Sequence, residues 1–327
     1  MRKTFIIAEL AQGFEGDPRL VKKFIDAAKR SGADAVKFQI FKPSELCTED
    51  YQYYQLFCDL EISPVEWKKL IDYTVSIGLE FMADLFGAET LKWIADTKIS
   101  AIKIHSTDIK NYPFLSEIKN YKGKVLLSAG GSSLQEIKTA VELLKDNDLV
   151  LLPGFQAEPN QLIDVELDKV EVLIEEFGLP VGYADHLDAN DSLAVVLPSM
   201  AVLKGATYIE KHLTFERNTL ELEDSMSALN PDEFKQMVEY VEKVEQFSFT
   251  GKKFELTKRE QDYRTRSKKI PVALNDITEN TIITEAHLNY LRIGKTPEEI
   301  LDASDIVGKK LRKSIAKNEP YLRGDLI

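Results

Sequence analysis

Eight short apolar runs recur along this sequence, separated by stretches whose apolar residues fall at helical spacing, and that alternation constrains the fold more than any other feature. The runs are TFIIAEL from Thr4, DAVKFQI from Asp34, EFMADLF from Glu80, SAIKIHS from Ser100, KVLLSAG from Lys124, LVLLPGF from Leu149, PVGYADH from Pro180 and ATYIEKH from Ala206. Helical spacing fills 18–31, 64–78, 88–97, 133–145 and 165–177 between them, and 231–247 after the last. Such alternation predicts parallel strands joined by crossover helices. Eight units fit a closed (β/α)8 barrel, a TIM barrel of the α/β class. The open alternative, a doubly wound sheet, would carry a glycine-rich dinucleotide fingerprint after its first strand, where Glu15-Gly16 supplies only a turn.

Polar residues at the ends of the runs locate the chemistry, since a barrel gathers its working side chains where strands end at the carboxyl face. They are Glu9, Lys37 with Gln39, Asp84, Lys103 with His105, Ser128, Gln156, Asp185 with His186, and Glu210 with His212. Side chains alternate along an extended chain, so Glu210 and His212 share one face and Ile209 takes the other. Taken alone, either His186 or His212 is better explained as satisfying a core hydrogen bond. Together they are candidate metal ligands, because two neutral imidazoles leave positions for water and substrate. Lys37 and Lys103 interrupt apolar strands, where an unpaired ammonium is costly to bury. Two ammonium groups at a barrel mouth predict a basic pocket for a phosphate or carboxylate. Asp84, Gln156, Glu158 and His105 are equally well read as solvated rim residues, and Trp67 and Trp93 as packing on helical faces.

A formal net charge of -12 over 327 residues argues against nucleic acid or an anionic membrane surface as the main partner. No apolar segment reaches the length of a membrane span, and the opening MRKTFIIAEL loses its apolar run at Glu9 with no small-residue cleavage site after it. Cys47 and Cys58 fall outside any metal-type or disulfide-framework spacing. The expected compartment is the cytoplasm, with both thiols reduced. The barrel is assigned to 1–250. Residues 251–269, polar and rich in Lys, Arg and Thr, read as a linker, and 270–327 as a small domain with one short helix near 284–288. At that size its own core is marginal, which predicts docking on a barrel, its own or a neighbour's.

Motifs run through the whole chain in a particular order: IIAE from Ile6, DAVKFQ from Asp34, KIHSTDIKNYP from Lys103, LSAG from Leu127, VGYADH from Val181, IEKHLT from Ile209 and NPDEF from Asn230. ITENTIITEAHLNYLRIG, IVGKKLRKSI and GDLI follow. The series resembles the sialic acid synthase family, whose members join phosphoenolpyruvate to an N-acylated amino sugar to make a nonulosonic acid. Its last three pieces resemble that family's C-terminal antifreeze-like (SAF) domain. The resemblance implies that His186 and His212 bind a divalent metal, Mn2+ or Mg2+, and that Glu9 and Glu210 are acids close to metal and sugar. It implies that Lys37, Lys103, Ser106 and Ser128 hold phosphoenolpyruvate, with Glu9, Lys37, Lys103 and Glu210 as the catalytic set. Gln39, Asp108 and Asp224 are implied sugar contacts. Arg292, in RIG where the family usually has RPG, is implied to enter the partner subunit's barrel in a domain-swapped homodimer.

Several motifs depart from the family pattern. Its Asn-His-Glu-Gly is here Gly13-Phe14-Glu15-Gly16, and its Ser-Thr-Pro-Phe is Ala83-Asp84-Leu85-Phe86. Its His-Cys-Thr-Ser/Asn-x-Tyr-Pro becomes PGFQAEP from Pro153, which puts Gln156 and Glu158 where phosphate and sugar ligands are expected, and Ala184 replaces a serine. Added carboxylates repel a phosphate, so either the sugar's polarity differs or the anion site is weakened. The stretch LELEDSMSAL from Leu220 is closer to the pseudaminic acid branch. The implied chemistry is attack of the phosphoenolpyruvate methylene carbon on a metal-polarised aldehyde, addition of a water oriented by Glu9 or Glu210, and loss of phosphate. Two alternatives stay open: condensation with a different sugar aldehyde, and a turnover-deficient barrel acting as a binding protein.

Overall fold

Each of the eight apolar runs forms a strand: β1 Phe5–Glu9, β2 Ala35–Ile40, β3 Glu80–Leu85, β4 Ala101–Ile104, β5 Lys124–Ser128, β6 Asp148–Leu152, β7 Gly182–Asp185 and β8 Tyr208–His212. The structure, a computed structural model, describes residues 3–155, 159–217, 224–247, 254–294 and 299–327. Gln156 and Glu158 therefore lie outside the described residues. The strands form one parallel sheet in the order β6-β5-β4-β3-β2-β1-β8-β7. A parallel bridge between Leu151 and Val181 joins the two ends of that order, making a (β/α)8 barrel with one thin seam.

Helices follow the strands for local reasons. Helix Pro18–Arg30 starts on Asp17, whose side chain accepts from the Arg19 N–H, with Pro18 in the first turn and Lys29 and Arg30 in the last. Its Val21, Phe24, Ile25 and Ala28 are buried. Helix Pro231–Val244 opens on a reciprocal cap between Asn230 and Glu233 and buries Phe234, Met237, Val238 and Val241. These faces pack on the outward residues of the strands, among them Ile6, Ala8, Val36, Phe38, Ile102, Leu127, Leu151 and Ile209.

The opposite strand face fills the barrel. There Ile7, Ala35, Met82, Ala101, Leu126, Val150 and Leu152, six of them ahead of the last residue of their strands, form a separate apolar plug. Gly182 is required there, since a Cβ would lie 2.5 Å from Leu152 Cδ2 and 2.7 Å from Tyr208 Cβ. With the inner face sealed below, polar side chains on the same face gather further along the strands.

The chain divides into two compact units, Met1–Ser248 and Phe249–Ile327. In the second, β9 Ile270–Ala273 pairs antiparallel with β10 Leu288–Leu291. Its core holds Ala273, Ile277, Ile283, Leu301, Ile306, Leu311, Ile315 and Tyr321. The stretch 251–269, read as a linker, contains helix Lys258–Ser267 in its described part. A reciprocal cap between Thr257 and Glu260 starts that helix, and none of its residues is buried, so the charge-rich sequence forms it without an apolar face. The short helix expected near 284–288 is a single 3-10 turn, Glu285–His287.

Candidate active site

Strand register brings the inward polar residues into contact. Glu9 pairs with Lys37 on one side and His212 on the other, and Asp84 sits between Gln39 and Lys103. Lys37 Nζ contacts a Glu9 carboxyl oxygen and lies 2.7 Å from Asp84 Oδ2 and 3.6 Å from Glu210 Oε2. Lys103 Nζ is 2.6 Å from Glu210 Oε1 and 3.5 Å from Asp84 Oδ2. None of these five residues exceeds 2% exposure, so the network is cut off from bulk water.

Burial sets the protonation states. It raises the Glu9 carboxyl to about 8, against the Lys37 ammonium and with the help of Glu210 and Asp84. For Asp84 burial pulls the same way, but the ammonium groups of Lys103 and Lys37 win and hold it below its ordinary value. Lys37 is held well above its ordinary value, since Asp84, Glu210 and Glu9 outweigh its desolvation. Near neutral pH Glu9 thus keeps its proton, which lowers the negative charge facing Lys37. The expected basic pocket is therefore corrected: both lysines are at the site, but each already has a carboxylate partner.

Beyond this layer lies a cavity of about 290 Å³, lined by the predicted Gln39, Ser106, His186, His212 and Asp224 together with His105. Thr107, Gly130, Gly131, Phe155 and Ser227 also line it and were not foreseen; Thr107 and Ser227 lie in single 3-10 turns, Ser106–Asp108 and Ser225–Ser227, and the others in loops, where no periodicity marks a side chain's direction. Gln39 Oε1 accepts from Gln12 Nε2 at 2.8 Å. Ser128 is fully buried, with no hydrogen-bond partner for its Oγ. Asp108 is not among the lining residues and accepts from Asn111 Nδ2 at 2.7 Å. Arg292 belongs to the second unit, where its Nε donates to the Ser267 carbonyl at 2.7 Å.

The rings of His186 and His212 stand 5.0 Å apart, inclined at 66°. Burial holds both neutral, lowering His186 to about 3 and His212 well below its ordinary value, with nearby cations adding to the effect. Burial likewise lowers His105 to about 4. The His186 carbonyl accepts from Ser227 Oγ at 2.9 Å and from the Asn160 N–H at 2.8 Å. Asp185, grouped with His186 in the sequence reading, turns to the outer face instead, because strand neighbours point oppositely. There its Oδ2 lies 2.8 Å from Lys211 Nζ, and Lys211 also donates to the Leu187 carbonyl at 3.1 Å. Lys211 is a third buried strand lysine, which the sequence reading missed.

Two converging neutral imidazoles suit a divalent cation, and His186 Nδ1 is buried without a hydrogen-bond partner. Among the described residues no group of three or more His, Cys, Asp and Glu forms a metal-type cluster. A cation held by this pair would complete its shell with water and substrate oxygens.

Residues 24–253 match the NeuB family. The chain belongs to that family. The N,N'-diacetyllegionaminic acid synthase of Legionella pneumophila is 32% identical, covering 97% of this chain and 93% of its own length. A pseudaminic acid synthase of Campylobacter jejuni is 30% identical, covering 99% and 97%. A crystal structure of N-acetylneuraminic acid (sialic acid) synthetase from Leptospira borgpetersenii, in complex with citrate, superposes with a TM-score of 0.74 at 30% identity, covering 80% of this chain and 91% of that one. The first two identities are too close to favour the pseudaminic acid branch, and the opening of the stretch behind that reading, 220–223, lies outside the described residues. Among the described residues no helix is long and apolar enough to cross a membrane.

Proposed function

We propose that this chain condenses phosphoenolpyruvate with an N-acylated amino sugar, giving a nonulosonic acid and phosphate. The observation that carries the reading is a pair of neutral imidazoles on the wall of a polar cavity, with His212 in register with Glu9, whose carboxyl contacts the buried Lys37. The legionaminic and pseudaminic acid synthases among the relatives support the same class of reaction.

In this reading His186 and His212 hold Mn2+ or Mg2+, which when bound supplies Lewis-acid polarisation of the acceptor's aldehyde oxygen. Lys37 and Lys103 face the anionic ends of phosphoenolpyruvate, with Ser106 and Ser128 adding hydroxyl donors. Glu9, protonated up to about pH 8, and Glu210 exchange protons with the water that adds as phosphate is lost. Gln39, Asp108 and Asp224 orient the sugar, and the apolar plug below keeps bulk water from the lysine layer. The barrel is the synthase domain, the second unit is an antiparallel SAF domain, and Arg292 acts on a partner's barrel in a swapped homodimer. The chain works in the cytoplasm.

The test is phosphate release from phosphoenolpyruvate with Mn2+ and a panel of N-acyl hexosamines. Sugar-dependent release that disappears in His186→Ala is expected. Release with sugar phosphates alone would favour the different-aldehyde alternative, and no release with any sugar would refute the synthase reading.

A further inference from the structure

Anion sites carry an excess of positive charge, and the floor of this cavity does not. Two ammonium groups are shared among three carboxyl groups, and Asp84 touches both lysines through a single oxygen: Oδ2 lies 2.7 Å from Lys37 Nζ and 3.5 Å from Lys103 Nζ. Its other oxygen, Oδ1, is buried without a hydrogen-bond partner. Glu9 is held differently, since its Oε1 accepts from the Ala11 N–H at 2.6 Å, and Glu210 is fixed by a 2.6 Å contact to Lys103. Glu210 also reaches both cations, but through separate oxygens, Oε1 at 2.6 Å from Lys103 Nζ and Oε2 at 3.6 Å from Lys37 Nζ, so of the three carboxyls Asp84 is the one that meets both through a single oxygen. It occupies the position that an oxygen of an incoming phosphate or carboxylate needs.

We propose that Asp84 is an internal counter-ion that competes with the anionic substrate for Lys37 and Lys103 and thereby sets how tightly this barrel binds phosphate-bearing ligands. The proposal rests on the reading of the two lysines as the phosphoenolpyruvate site. Two consequences follow from Coulomb's law. An anion binds only as the Asp84 carboxylate leaves at least one ammonium, so the native protein holds phosphate weakly. Removing the charge at Asp84 while keeping its shape frees the lysines for the ligand.

Isothermal titration with inorganic phosphate and with phosphoenolpyruvate, on the full chain and on Asp84→Asn and Asp84→Ser, reads this directly, with thermal melts to identify folded variants. Both ligands should bind at least about tenfold more tightly to the folded variants, because a buried like charge beside the site is gone. Equal or weaker binding overturns the proposal. Should neither variant fold, a crystal of the native chain soaked in phosphate decides: phosphate on Lys37 or Lys103 with Asp84 Oδ2 displaced from that lysine supports it, and Asp84 unmoved against both lysines overturns it. The phosphate-release assay separates this from the synthase reading. Turnover in the native chain with unchanged phosphate affinity in the variants sinks only the role of Asp84, whereas tighter binding without turnover on any sugar sinks only the synthase reading.

Discussion

Lys211 Nζ lies 2.8 Å from Asp185 Oδ2, and both side chains are fully buried. The pair ties β7 to β8 from the outer face, one residue before the histidine that follows or ends each strand. Its removal from one side leaves a charge in the core with nothing to offset it. Lys211→Met should therefore cost about 3–5 kcal/mol, and Lys211→Met with Asp185→Leu should cost less than the single change. Urea midpoints for the single and double variants check this; a double variant no better than Lys211→Met would show that the pair's loss is a packing effect.

Glu9 gives a pH dependence with a definite sign. Its carboxyl keeps its proton to about 8 in the folded chain but loses it near 4.5 when exposed, so between those values the folded state binds more protons. Its contribution to stability is complete at acid pH and is lost as pH rises through that window, at up to about 1.4 kcal/mol per pH unit. Glu9→Gln, an uncharged mimic of the protonated form, should remove that part of the decline. Denaturation curves of both proteins between about pH 5 and about pH 8 would reveal parallel slopes if Glu9 were ionised in the fold.

The histidines should bind metal in an unusually acid-tolerant way. His186 is lowered from 6.5 to about 3, and His212 falls well below the same ordinary value, so neither ring takes a proton in the mildly acid range. Mn2+ affinity measured by titration should change by less than about threefold between about pH 7 and about pH 5.5, where two ordinary histidines would lose roughly a hundredfold. His186→Ala and His212→Ala should each abolish both Mn2+ binding and turnover while leaving the circular dichroism spectrum unchanged. Mn2+ binding retained in both variants would remove the metal role.

Arg292 offers a test of the swapped dimer by complementation. Arg292→Ala and His186→Ala proteins should each be nearly inactive, yet unfolding and refolding them together should restore about a quarter of the native turnover, because mixed dimers contain one intact site. A mixture as inactive as its parts would show that Arg292 serves its own subunit or none.

The barrel was legible because its strands are short apolar runs with helical spacing between them, and each run predicted as a strand is one. The inward set on β8 was legible too, since strict alternation puts Glu210 and His212 on one side. Asp84 was harder to place, because EFMADLF does not tell the register of β3 on β2 and β4 that sets its aspartate against Lys37 and Lys103. Lys211 was missed for a related reason: the outer face of a barrel strand is normally apolar, and its partner Asp185 lies far away in the sequence. Gly130, Gly131 and Phe155 come from loops, where neither strand nor helix period marks a direction; the Phe155 carbonyl is held by a 2.6 Å hydrogen bond from Asn160 Nδ2.

In β8 three consecutive residues, Glu210, Lys211 and His212, are all buried, with the middle one committed to the opposite wall. Substitution within such a strand alters one contact, but a gain or loss of a single residue ahead of it would exchange the walls, driving the lysine into the cavity and the acid and imidazole among the helices. Length, more than identity, is what this segment has no freedom to vary during divergence, and engineered insertions belong in the loops that follow it.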